Sequence, residues 1–328
     1  MKTIAGEYVT DKMGHVCVIK CNLDKISIDF HTATGAWDRA QGVLKNDRIE
    51  MAFYNQMQCR TKITGTVMAG KIMWDNQTEW RKTREYPAVD TTIDLGFFEK
   101  RVFSQNGEDG IIEAIFANIG TTNKYYLEFG VQDATECNSR YLREVQGWSG
   151  LMWDGGFENP AIHLFQEFIT RENILALCEK YQVPAEFDLL VVDIDYNDWY
   201  IWRQISLQHK PRVVVVEHNA THLPGEDMVV KYDPKMCWDT SNYFGASLTA
   251  FQHLADHLGY SLVYVDNMGV NAFFVRDDVV QQAEKAFVNI NDVAKLSKKP
   301  KYGQGPNGGH AADVKKRPYL SSGELLHG

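Results

Sequence analysis

Four carboxylates and two histidines crowd two short stretches of this sequence. VVDIDYND supplies Asp193, Asp195 and Asp198, and VVVVEHNATH supplies Glu217, His218, Asn219 and His222. Each stretch begins as an apolar run, the pattern of a parallel strand buried on both faces. Neighbouring parallel strands bring their carboxyl ends to one rim, where ligands bind. Asp193 and Asp195 then share a face by the strand period of two, and Glu217 ends the adjacent strand. Carboxylates so close raise one another's pKa unless a cation or a shared proton intervenes. Oxygen ligands suit a hard divalent ion such as Mg²⁺, and adding His218 moves the preference toward Mn, Fe or Zn. The plain structural alternative is helix capping, since Asp198 precedes WYIWRQ.

Two earlier strand ends carry the same kind of signal. YYLEFGVQDATECNS runs from apolar residues into Glu128 and Gly130, and LMWDGG ends on Asp154 with Gly155 and Gly156. A glycine there permits close backbone approach to a ligand, and a strand-end carboxylate accepts hydrogen bonds from ribose hydroxyls. Either acid alone reads equally well as a turn residue. The loop after Gly130 has Gln132 and Ala134 where a dinucleotide-binding loop has glycines. SQNGEDG, with Gln105, lies directly before the next helix and across the mouth of such a site, although Asn106 or Asp109 there also reads as an N-cap. His253 and His257, four apart around Asp256, read as a solvated helix face. WDTSNYFGAS (238–247) reads as a substrate loop, and Ser247 as the cap of the helix after it.

The elements that position these residues follow from periodicity. From Phe103 onward strands alternate with helices, the mark of a parallel α/β sheet. Strands are expected at YYLEF, GLMWD, DLLVVDID and RVVVVEHN. Helices are expected at GEDGIIEAIFANIG, CNSRYLREVQ, PAIHLFQEFI, ENILALCEKY, DWYIWRQIS and ASLTAFQHLADHLG. YSLVYVDNMGVNAFFVRDD is two strands around a tight turn, so an antiparallel hairpin ends the sheet. Residues 1–85 read as all-β, a barrel or sandwich, with turn formers between short strands. Trp74 and Trp80 either plug that barrel or line its mouth. Residues 86–102, with Pro87, read as a linker, and 103–289 as the α/β domain. The Lys-, Gly- and Pro-rich stretch 290–328 reads as a flexible tail or a lid.

Composition narrows the classes. The 328 residues carry a net charge of −9, against a general nucleic-acid binder. No apolar run approaches the roughly 20 residues of a membrane span, and MKTIAGEYVTDKMGH lacks a signal-peptide core. Six cysteines at 17, 21, 59, 137, 178 and 237 form no CxxC pair and read as free thiols. A cytoplasmic protein acting on a small molecule is expected, with no membrane or nucleic-acid partner, and a homo-oligomer is left open.

Taken together, FSQNGEDGII, YLEFGVQDATECNSRYL, GWSGLMWDGG, FDLLVVDIDYNDWYIW, PRVVVVEHN and GVNAFFVRDD resemble the FkbM-type branch of class I S-adenosylmethionine-dependent methyltransferases over residues 103–278. The resemblance implies a Rossmann-like sheet, parallel with a terminal antiparallel hairpin. It implies methyl transfer from S-adenosylmethionine to a hydroxyl of a sugar or other small metabolite. Gln105, Glu128, Gly130, Asp133, Asp154 and Gly155 become the expected cofactor residues. Asp193, Asp195, Glu217 and His218 become the expected ligands of Mg or Mn. Asp193 would lie beside the transferred methyl, with His218 or His222 as the base. His218 stands where related sugar O-methyltransferases commonly have a second acid. Gln132 and Ala134 depart from the family's small-residue loop and read as an unusual spelling of the cofactor site. A metabolite-binding protein without catalysis, or a metal-dependent enzyme of other chemistry, are the competing readings. Residues 1–85 fall outside the resemblance and read as a β-module for binding or docking.

Overall fold

The computed structural model describes residues 4–10, 16–22, 25–30, 39–54, 60–85, 92–305 and 308–327. The chain divides into two compact units, 1–98 and 99–328.

The first unit is a closed antiparallel barrel of eight strands in sequential order: β1 (Gly6–Val9), β2 (Val16–Asn22), β3 (Lys25–Phe30), β4 (Arg39–Lys45), β5 (Arg48–Tyr54), β6 (Arg60–Met68), β7 (Lys71–Trp74) and β8 (Glu79–Glu85). Pairing of β1 with β8 closes it, which removes the sheet edges. Alternation sends Ile49, Met51 and Phe53 inward while Arg48 and Glu50 face out. A barrel of this size is just wide enough for side chains to fill. Trp74 and Trp80 do the filling: their rings meet edge to face at 4.9 Å, with Phe53 against both. Gly65 makes room, since a Cβ there would sit 2.8 Å from the Trp74 ring. The compact unit runs past the expected boundary at 85. Asp94 caps a 3-10 turn at Leu95–Phe97, and the Gln41 amide donates to the Gly96 carbonyl. The expected linker at 86–102 is therefore partly built into this unit, while 86–91 lie outside the described residues.

The second unit is a seven-stranded mixed sheet with helices. Its strands are β9 (Tyr125–Phe129), β10 (Ser149–Asp154), β11 (Leu164–Gln166), β12 (Glu186–Val192), β13 (Lys210–Glu217), β14 (Tyr260–Val265) and β15 (Asn271–Arg276). Their order is β11-β10-β9-β12-β13-β15-β14, with β15 antiparallel to both neighbours. The expected hairpin thus lies inside the main sheet. Asp266 organises its turn by accepting from the backbone N–H of Met268, Val270 and Asn271. β12 and β13 are the predicted apolar central strands, buried over Phe187–Val192 and Val213–Val216. Five helices match the expected apolar stripes: α1 (Glu108–Ile119), α2 (Arg140–Gln146), α3 (Ile174–Lys180), α4 (Asp198–Ile205) and α5 (Leu248–Leu258). Among the described residues no helix is long and apolar enough to cross a membrane.

Two expectations need correction. PAIHLFQEFI is not a helix. A 3-10 turn at Pro160–Ile162 ends at His163, in the left-handed region, and Leu164–Gln166 then pairs with Met152–Asp154 as the edge strand β11. Edge pairing to an open strand outweighed a short apolar run that could serve either element. The 290–328 stretch is not a loose appendage over its described residues. Leu320 exchanges backbone hydrogen bonds with Val229, and Asn242 N–H donates to the Ala311 carbonyl. Arg317 bridges Asp239 and Asp313. Cys17, Cys137 and Cys178 are buried free thiols as expected, whereas Cys237 is exposed.

Because Trp74 fills the barrel centre, Trp74→Ala should lower the barrel's unfolding free energy by roughly 3–5 kcal/mol. Urea unfolding followed by circular dichroism measures this, and a loss under about 1 kcal/mol would place Trp74 outside the packed core.

Candidate functional site

β9 starts one half of the sheet and β12 the other, so their carboxyl ends meet at the switch point where open α/β sheets receive ligands. The approach is close. A Cβ at Gly130 would lie 1.6 Å from the Asp193 carbonyl oxygen, and Gly130 has φ 71°. Only glycine fits there. The loop it opens takes the left-handed region at Gln132 (φ 51°) and Ala134 (φ 61°) as well, so it has the backbone of a glycine-rich loop without the glycines. Gln132 N–H donates to Asp154 Oδ2 at 2.7 Å, tying the loop to the end of β10, while the Gln132 side chain is exposed.

Two cavities adjoin at this point. One, about 380 Å³, is bounded by Trp153, Asp154, Gly155, Phe168, Ile169 and Met236 among others. The second, about 260 Å³, is bounded by Gln105, Asp133, Asp193, Asp195, Glu217 and Val270 among others. Gly130, Gln132 and Asp195 line both. The first cavity is largely apolar with one strand-end acid. The second is acidic.

Carboxylate oxygens of Asp193, Asp195 and Glu217 lie within 4.8 Å of one another. The expected shared strand face is not how they meet, because β12 ends at Val192 and Asp195 turns the chain with φ 65°. Convergence comes from that turn. Asp198, fully buried at the start of α4, accepts from Ile194 N–H through Oδ1 at 2.7 Å, so it closes the loop and does not cap the helix. Its Oδ2 and the Glu217 Oε2 are buried without a hydrogen-bond partner. Burial, then the neighbouring carboxylates, pushes Asp193 and Glu217 well above the usual range. Burial raises Asp198 to about 7, against the pull of its bond from Ile194 N–H. Asp195 is raised by burial and by Asp154, with His310 acting the other way. Among the described residues no Lys or Arg pairs with any of the four.

The remaining predicted residues separate clearly. Gly130, Asp154 and Gly155 line the apolar cavity, and Gln105 and Asp133 the acidic one. Glu128 lines neither. Its buried carboxylate accepts from Asn138 N–H (2.7 Å) and Ser139 N–H (2.8 Å), so it holds the loop from beneath and does not face a ligand. His218 is absent from the converging ligand set, because consecutive residues point to opposite faces and Glu217 takes the rim. Its Nδ1 lies 3.0 Å from the Val270 carbonyl, and burial lowers its pKa to about 4. His222 packs edge-on against Tyr319 at 4.7 Å, and its Nε2 is buried without a partner. Neither histidine lines either of these two cavities, and neither belongs to the converging Asp193, Asp195 and Glu217 group.

Sequence reading missed Phe168 and Met236, which reach the apolar cavity from loops, and the C-terminal residues near the acids. Glu217 acts electrostatically on Tyr302, and Asp195 and His310 act on each other. Nothing local in the sequence signals which distant segments come together. Comparison with protein-family models and with curated proteins finds no match.

The acids make a pH prediction. Asp198 has a folded pKa above its unfolded value, so the native state binds the extra proton between the two. Its contribution is fully present below about pH 4 and is lost as pH rises through about 7. Asp198→Asn keeps the Oδ1 acceptor and removes the charge. It should raise Tm at pH 8 by roughly 2–8 °C, with the gain fading toward pH 5. Calorimetric scans across that range check it. A Tm gain independent of pH would mean that Asp198 is not titrating.

Proposed function

We propose that residues 99–328 form an S-adenosylmethionine-dependent methyltransferase acting on a hydroxyl of a small hydroxylated metabolite or sugar, with a divalent cation on the acidic rim. The observation that carries this reading is the pair of cavities sharing Gly130, Gln132 and Asp195 at the switch point. A donor in one and an acceptor in the other would meet across that wall. The strand order, with β15 reversed between β13 and β14, also resembles that of class I methyltransferase sheets.

The residues present fit an adenosine-type ligand. Asp154 Oδ1 accepts from Gly156 and Phe157 N–H and Oδ2 from Gln132 N–H, which fixes the carboxylate and leaves Oδ2 a lone pair for a ribose hydroxyl. Phe168, 49% exposed at the cavity wall, offers a ring face for a base. When bound, S-adenosylmethionine supplies an electrophilic methyl group on sulfur. The chain's part is alignment and proton removal. Asp193, Asp195 and Glu217 would hold a Mg or Mn ion, because their oxygens converge and Glu217 Oε2 has no other partner. Such an ion orients vicinal hydroxyls and lowers an acceptor's pKa. With both histidines off the cavities, a rim carboxylate is the proton acceptor at hand. Burial lifts these carboxyls well above the usual carboxylate range, and a raised pKa makes a carboxylate a better proton acceptor.

Titration calorimetry with S-adenosylmethionine tests the donor side. Asp154→Ala should weaken binding by about 1.5–3 kcal/mol, the worth of a hydrogen bond to a charged acceptor. Unchanged affinity removes Asp154 from the site, and no binding to the wild-type protein removes the donor altogether. On the acceptor side, Asp193→Asn should abolish turnover of hydroxylated substrates while leaving cofactor affinity nearly intact. Chelation should act likewise and be reversed by added Mg or Mn. Activity that survives exhaustive chelation would eliminate the metal.

A further inference from the structure

A third cavity, about 270 Å³, lies on the flank of the sheet where the loop before α3 meets α4. Arg171, Tyr200, Arg203, Gln204 and Leu207 line it, and it shares no residue with the two cavities at the switch point. Residues 99–328 contain eight arginines in a chain of net charge −9. Seven hold a carboxylate: Arg101, Arg140, Arg143, Arg171, Arg212, Arg276 and Arg317. Arg203 holds none among the described residues. Its guanidinium carbon lies 5.7 Å from the Trp199 ring.

The pocket is pre-shaped around that guanidinium. Arg171 stacks on the Tyr232 ring at 4.4 Å, and its pairing with Glu172 is an exposed contact at 3.3 Å of the kind worth little in water. The Tyr200 hydroxyl is committed to the Val230 carbonyl at 2.9 Å, which fixes its ring as a wall. Arg171 and Arg203 both line the cavity beside that ring. Gln204 adds an amide, and Leu207, 67% exposed, an apolar lip. Two forked cations at a concave site match a doubly charged oxyanion better than a single carboxylate.

We propose that this pocket binds a phosphate dianion, either free or as a phosphomonoester whose carbon portion rests against Tyr200 and Leu207. The site is independent of the methyltransferase reading.

Titration calorimetry on the full chain, with inorganic phosphate, glycerol 3-phosphate and acetate as probes, tests it. Phosphate should bind with a Kd near or below about 1 mM at low ionic strength and weaken with added salt. Arg203→Ala should weaken it about tenfold or more, with Arg203→Lys in between, because a point charge keeps attraction but loses the fork. Circular dichroism melts of the variants establish that they are folded. Tighter binding of glycerol 3-phosphate than of phosphate selects the ester, and equal binding selects the free anion. Absence of heat at about 20 mM phosphate, acetate binding as tightly as phosphate, or unchanged affinity in folded Arg203→Ala would each overturn the assignment.

Discussion

The α/β unit turns on the closeness of two strand ends. β9 and β12 are neighbours that begin opposite halves of the sheet, and the chain after each must leave in different directions. Gly130 lets the two exits pass within a distance that any side chain would forbid, 1.6 Å from a Cβ to the Asp193 carbonyl oxygen. Once the backbones pass so closely, the Gly130–Ala134 loop is pressed toward β10 and tied there by Gln132 N–H to Asp154. Asp193 is set at the same point from the other side. The apolar cavity and the acidic cavity share a wall because these two exits share a wall.

The acids of the α/β unit are partnered to different degrees. Asp188 accepts from the N–H groups of Thr122, Asn123 and Lys124 and pairs with Arg212 at 2.8 Å. Asp109 Oδ2 accepts three backbone N–H groups, from Val102, Phe103 and Ser104. Glu128 accepts two. These carboxylates organise loops through those hydrogen bonds, although Asp109 Oδ1 is itself buried without a partner. The rim acids are less fully partnered: Asp198 accepts from Ile194 N–H through Oδ1, its Oδ2 and the Glu217 Oε2 are buried without a hydrogen-bond partner, and Asp195 is exposed. Carboxylates brought this close raise one another's pKa.

The C-terminal segment belongs to this chemistry through its packing. Arg317 bridges Asp239 and Asp313, and its guanidinium lies 4.2 Å over the Tyr243 ring. Tyr243 and Tyr319 donate across to Pro318 and Asn242 carbonyls. The 238–247 loop and the chain end are thereby one assembly, which sets His310 against Trp238 at 4.3 Å and within the field of Asp195. Loops that would each be costly to order alone are ordered by one another.

Residue pattern alone determined the element types and where the polar chemistry would gather. Apolar runs ending in acids at Asp154, Val192–Asp193 and Glu217 fixed the strands and their rim, because burial on both faces leaves only the ends for polar residues. The alternation in β5 fixed a half-buried antiparallel strand, though not whether it closed into a barrel or packed as a sandwich. Tertiary structure decided the rest. It made Leu164–Gln166 a strand, since a three-residue run has no intrinsic preference until an open edge receives it. It sent Glu128 beneath the loop and His218 off the rim, because a one-residue step reverses the face a side chain takes. It brought Arg171 and Arg203 to one pocket and His310 to Asp195. Sequence spacing carries no information about contacts that exist only after distant segments are packed together.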